Sequence, residues 1–123
     1  MTILQALAEA DRQRPNEINT EQKLRWLSTL DGQIQKELLE AYQGELAPFS
    51  GYNAGTELRT TNLLVPFPFD DLYLRYLVMR IDLEQGELER YNNDAAAFNR
   101  IWQSYAAHHG RTHDPLGEKR LRF

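Results

Sequence analysis

No cysteine occurs in the 123 residues. That excludes a disulfide framework, thiolate-bound zinc and a cysteine nucleophile, and it suits a reducing compartment. Long hydrophobic runs are also missing, and nothing approaches the roughly 18 to 20 apolar residues of a membrane-spanning helix. The opening MTILQALAEADRQR has no basic stretch ahead of an apolar one and does not read as a secretory signal. Positive charge is in deficit, with 14 Lys and Arg against 18 Asp and Glu for a net charge of −4. From His108 onward the balance reverses, because Arg111, Lys119, Arg120 and Arg122 outweigh Asp114 and Glu118. An acidic body is poorly suited to duplex DNA, where neutralisation of phosphates by a basic face dominates affinity. No sequence-specific nucleic-acid contact is expected. The basic end reads as a solvated terminus or as an arm reaching toward an acidic neighbour.

Histidine is scarce as well, and all three lie in AAHHGRTHDP, residues 106–115. His108, His109 and His113 are therefore the obvious metal candidates. A zinc site needs ligands converging within about 2.0–2.2 Å of the ion. His109 and His113 share a face only if a helix continues between them. Gly110 is placed to end that helix and Pro115 limits any continuation beyond it, so the spacing argues against a metal site. There is no nucleophile elbow, no phosphate-cradling glycine loop and no HExxH motif. Asp82, Glu84, Glu87 and Glu89 form an acidic cluster, but they lack the ligand alternation of a calcium loop and read as a solvated helix face. Neither enzymatic activity nor a cofactor is expected.

What remains is ordinary for a globular protein: 41% hydrophobic and 26% charged residues, in a length that suits one domain over 1–123. Thr2 can cap a first helix over about 3–13, broken by Pro15 and Asn16. Asn19, with Gln22 as reciprocal partner in a capping box, opens a second. Leu24, Leu27, Leu30 or Asp31, Ile34, Leu38 and Ala41 recur at spacings of three and four. That phase predicts one helix over about 20–42, crossing Gly32 and closed by Gly44. Residues 44–69 have no helical period and run long for a connection. Phe49, Tyr52, Leu63, Leu64 and Val65 are too apolar to be left in water, so this loop should pack. TNLLVP reads as a short extended segment or strand, and PFPF keeps the chain extended up to Asp70, an N-cap candidate. Phe69 and Leu74 are spaced for a hydrophobic staple. A third helix is predicted over about 71–90, a turn at RYNND, and a fourth helix capped by Asn92 or Asn93 and running to about 109. The short connection makes the last two an antiparallel hairpin. The expected fold is all-α: a small antiparallel bundle of about four helices, with a long partly extended loop and a basic tail over 110–123.

The aromatic set includes Trp26, Phe67, Phe69, Tyr73, Tyr76, Phe98, Trp102 and Tyr105. With no basic groove legible beside them, packing and protein contact are the better reading than base stacking.

KLRWLSTLDGQI, LLVPFPFDDLYLRYL, ERYNNDAAAFNRIW and GRTHDPLG together resemble the head–tail connector, or adaptor, proteins of long-tailed bacteriophages and prophages, over about 21–117. The resemblance implies a helical structural protein of the virion neck, made in the host cytoplasm. It implies a protein that is monomeric until it meets the portal and then assembles as a ring between portal and tail. Its partners would be the portal, neighbouring neck or tail proteins and further copies of itself, with no membrane and no catalytic residues. Phe49, Tyr52, Phe67, Phe69, Arg111, His113, Arg120 and Arg122 are the candidate inter-subunit contacts, drawn from the loop and the tail. Two other readings stand beside this one. The chain is a non-virion assembly factor or interaction module with the same fold, or it is an enzyme or metal protein centred on the histidines.

Overall fold

In the computed structural model, which describes residues 1–39 and 49–112, the chain turns helical at Ile3. A complete capping box starts this first helix, α1 (Ile3–Gln13): the Gln5 N–H donates to Thr2 Oγ1 at 3.2 Å, and the Thr2 N–H donates to Gln5 Oε1 at 2.9 Å. α2 (Thr20–Ile34) opens where Asn19 Oδ1 accepts the Gln22 N–H at 2.8 Å. The reciprocal half of that box is not made, because Gln22 Oε1 accepts instead from Arg25 at 2.6 Å. The predicted helix over 20–42 is also modified. α2 gives way to a π-helical turn at Gln35–Leu39, and residues 40–48, Gly44 among them, lie outside the described residues.

Residues 49–70 contain no helix, and TNLLVP is not a strand: the one β pairing among the described residues is a single bridge between Thr2 and Asn62. This segment completes the start of α1. A helix leaves its first N–H groups without intrahelical acceptors; here Ile3 donates to Thr61 O at 3.1 Å and Leu4 to Leu58 O at 2.9 Å. In return the Leu63 N–H donates to Met1 O at 3.0 Å.

α3 (Asp71–Glu84) is the central helix, burying Leu72, Tyr73, Leu74, Leu77, Val78 and Ile81. Asp70 does not cap it as predicted. Its side chain makes no capping bond, and its carboxylate pairs with the Met1 ammonium at 3.4 Å. α3 also ends sooner than the sequence suggests. Gly86, at φ +75°, stops it: the Glu87 N–H donates to Asp82 O at 2.9 Å and the Gly86 N–H to Leu83 O at 3.2 Å. That pair of bonds is a Schellman motif, which needs a left-handed residue best supplied by glycine. The RYNND segment is therefore not the turn; α4 (Leu88–Thr112) is already under way there, with Asn92 and Asn93 inside it. Gly110 likewise lies within α4 rather than ending it, since the buried side chains of Tyr105 and His109 hold the helix's last turns against the body.

α3 and α4 run antiparallel. Tyr76 meets Phe98 at 5.5 Å between ring centroids, and Phe69, just ahead of α3, meets Tyr105 at 5.4 Å. α1 and α2 pack on α3, and one continuous cluster joins Ile3, Leu27, Ile34, Val65, Leu77 and Ile81. The architecture is all-α, and no helix among the described residues is long and apolar enough to cross a membrane.

Candidate functional site

Three arrangements of polar groups and one exposed end are the places where this fold could do something. The deepest is built around Asp31, on the inner face of α2 and 0% exposed. Its Oδ1 accepts from the Tyr73 hydroxyl at 2.5 Å; its Oδ2 accepts from the Tyr52 hydroxyl at 2.5 Å and from the Leu64 N–H at 3.2 Å. The Tyr73 hydroxyl in turn accepts the Val65 N–H at 2.8 Å. Ser28, one turn earlier, accepts the Tyr52 N–H on Oγ at 2.7 Å and donates to Tyr52 O at 3.3 Å. The physical reason is backbone satisfaction. A non-helical segment that buries Leu63 and Val65 carries N–H groups into the interior, and each needs an acceptor there. Burial pushes the Asp31 carboxyl above the usual carboxylate range, against the opposing effect of the hydrogen bonds from Tyr52, Tyr73 and Leu64. Burial and the adjacent Asp31 push both tyrosines up as well. With its carboxylate oxygens enclosed and hydrogen-bonded, Asp31 fastens the loop to the helices.

The second arrangement joins the ends of three helices. Arg14, just past α1, donates from Nε to Asp82 Oδ1 at 3.0 Å, and its Nη2 lies 3.7 Å from Asp94 Oδ2. Arg75 approaches Asp94 at 4.0 Å and Asp71 at 3.5 Å. Asp82 is 0% exposed, so it is not part of a solvated acidic face as the sequence suggests. Burial, followed by the neighbouring Asp82, raises Asp94 to about 6, with Arg14 and Arg75 pulling the other way. The signal was available: Asp82 continues the stripe of Val78 and Ile81, just as Asp31 continues that of Leu27 and Leu30.

The third arrangement is the histidine segment. Because α4 continues through Gly110, the helical stop that was to separate His109 from His113 is absent, although His113 itself lies outside the described residues. His109 is buried, 5.9 Å from the Tyr105 ring, and His108 stacks obliquely on Phe69 at 5.0 Å. Among the described residues no three His, Asp or Glu side chains converge as a metal site would require.

The exposed end lies where α3 begins and α4 finishes. Phe67 is 84% exposed there, on the turn between Pro66 and Pro68. Beside it, Phe69 and Arg111 line one groove together with Arg100. Two of the sequence-derived contact candidates, Phe69 and Arg111, thus come together, and exposed Phe67 lies two residues before Phe69 in the chain. Phe49 and Tyr52 do not join them: the two rings meet edge-on at 5.2 Å, half-buried, with the Tyr52 hydroxyl turned in to Asp31. Arg120 and Arg122 lie outside the described residues. Sequence reading did not single out Asp31, Tyr73 or Arg100 for these roles.

No protein-family model, curated protein or solved structure matches the chain.

Proposed function

We propose that the chain is a structural protein of a phage or prophage virion neck, a head–tail connector that assembles as a ring between the portal and the tail. The observation that carries this reading is the Phe67 end. A large aromatic side chain 84% exposed, next to a groove bearing Arg100 and Arg111, is the composition of a protein-contact surface. The sequence resemblance supplies the setting, and the Asp31 network supports it by holding the segment that leads to Phe67 against the helices. In this role the protein is made in the host cytoplasm, incorporates into the particle, and contacts the portal, neighbouring neck or tail proteins and copies of itself.

The test is reconstitution. Purified with its cognate portal, the protein should co-elute and add a ring of density in negative-stain images, and Phe67→Ser should weaken that association. Failure to bind the portal, together with absence from purified particles by mass spectrometry, would move the protein to a non-virion assembly role.

A further inference from the structure

We propose that the two ends of the α3–α4 hairpin are complementary halves of a head-to-tail contact between copies of this chain. Leu4, Phe67, Leu83 and Leu88 are the large apolar side chains left exposed among the described residues, and three of the four sit at these ends. Phe67 marks one end. There, Arg100, Ser104, Ala107 and Arg111 form one stripe along α4 and, with Phe69, line a groove of about 480 Å³. At the other end, around Gly86, Leu83 and Leu88 stand exposed beside Glu84, Glu87 and Glu89, with Arg90 the cation nearest in sequence. A second groove, of about 670 Å³, opens there between Pro15, Glu17, Ile18 and Glu84. Its wall is fixed by the Gln85 side-chain amide, which donates to Pro15 O at 3.2 Å.

One end is therefore aromatic and basic, and the other aliphatic and acidic. Arg100, Arg111, Glu84, Glu87 and Glu89 form no ion pair among the described residues, whereas Asp11, Asp71 and Asp82 are each paired within the molecule. From Leu88 the α4 axis runs about 18 Å to Arg100 at mid-helix and about 35 Å to Arg111 at its end, at 1.5 Å per residue, so the glutamates around Gly86 cannot reach either arginine within one copy. A second copy satisfies both: its acidic groove receives Phe67, and its glutamates face Arg100 and Arg111. Because each contact uses two different surfaces, one free half remains at each end of every pair. Such an interface propagates, closing as a ring if the rotation between copies allows. This deepens the assembly reading by naming what the Phe67 end meets, and it rests on that reading for its biological setting.

Sedimentation velocity on the full chain from about 10 μM to about 1 mM tests the contact. The wild type should be monomeric near about 10 μM, as the resemblance implies for the free protein, and grow in sedimentation coefficient toward about 1 mM without stopping at a dimer, with growth suppressed by added salt. Arg100→Glu with Arg111→Glu gives a copy acidic at both ends; Glu84→Arg with Glu87→Arg gives one basic at both ends. Each should remain monomeric alone, with unchanged far-UV circular dichroism, and the two mixed should associate. A wild type that stays monomeric throughout would overturn the proposal. So would a salt-insensitive dimer that does not grow further, or charge variants that associate as the wild type does. Portal binding is measured separately on the same proteins. If it persists while self-association fails, the head-to-tail contact is wrong and the neck assignment stands; the reverse pattern removes the neck assignment and leaves the contact.

Discussion

Tyr73→Phe deletes one oxygen atom, and the structure says what that oxygen holds. It donates to Asp31 Oδ1 at 2.5 Å and accepts from the Val65 N–H at 2.8 Å; Asp31, Val65 and Tyr73 are all 0% exposed. Loss of the hydroxyl leaves a buried amide without an acceptor, a penalty of about 1–3 kcal/mol, and strips a charge-assisted hydrogen bond worth about 1.5–3 kcal/mol. The vacated space is too small for a water molecule to take over both bonds. The expected cost is therefore about 3–5 kcal/mol, a large share of a stability that is typically about 5–15 kcal/mol. Tyr52→Phe provides the internal comparison. Among the described residues its hydroxyl bonds only Asp31 Oδ2, and its ring is half-buried at the edge of the loop, so the expected cost is about 1–2 kcal/mol.

Urea unfolding of the three proteins, followed by tryptophan fluorescence with Trp26 buried in the core, measures these differences. A double-mutant cycle with Asp31→Asn then isolates the bond. The asparagine oxygen must face the Leu64 N–H, which cannot reverse, so its NH₂ group turns to the Tyr73 hydroxyl, whose own O–H then loses its acceptor. Coupling between positions 31 and 73 should thus exceed about 1 kcal/mol. If Tyr73→Phe costs no more than Tyr52→Phe, or if the cycle is additive, Asp31 does not fasten the loop to the helices.

Asp94→Asn tests the second network through pH. The folded carboxyl is raised to about 6 from an ordinary value of 3.8. Its contribution to stability is therefore complete below about 3.8 and lost as pH rises through about 6. Relative to wild type, the variant should gain stability between pH 4 and 7.5, by at most about 3 kcal/mol; a difference constant with pH would refute the assignment. Arg14→Met removes the main counter-charge of the buried Asp82 and should cost about 3–5 kcal/mol in thermal or urea unfolding at pH 7. Two glycines should respond oppositely in the same assay. Gly32→Ala places its Cβ 3.9 Å from Phe49 in a helix interior and should stabilise by up to about 1 kcal/mol, whereas Gly86→Ala, at φ +75°, should destabilise by about 1 kcal/mol.

The helices were legible wherever apolar period and local signals agreed. Thr2, Asn19 and the stripe from Leu24 to Ile34 located α1 and the start of α2, because a cap and a period of 3.6 are local properties. The same local reading misplaced the α3–α4 turn, since NND carries a capping signature that a helix interior can overrule while Gly86 held the actual stop. It misjudged Gly110 for a related reason: a glycine ends a helix only where packing lets it, and Tyr105 and His109 are buried against the body. The polar networks were the least legible part. An aspartate on a hydrophobic stripe looks like a gap in the pattern until its partners are known, and those of Asp31 lie 21, 33 and 42 residues away. Nothing in the sequence orders Arg14 beside Asp82, 68 positions on. Of the exposed end, the aromatic character of PFPF was visible beforehand; its approach to Arg100 and Arg111 depends on the α3–α4 register.

Those long separations also bear on how the chain reaches its native state. Helical bundles usually fold quickly because most of their contacts are local. Here the carboxyl group at position 31 is satisfied only after residues 52, 64 and 73 have arrived, so the helices can form and collapse while the interior still holds a polar group without its partners. Loop docking should accordingly be part of the rate-limiting step, with refolding slower than helix content alone would suggest. In native-state hydrogen exchange the amides of Leu64 and Val65, although outside every helix, should be released only by global unfolding, together with those of α3. A segment without regular structure would then belong to the most protected cooperative unit of the protein.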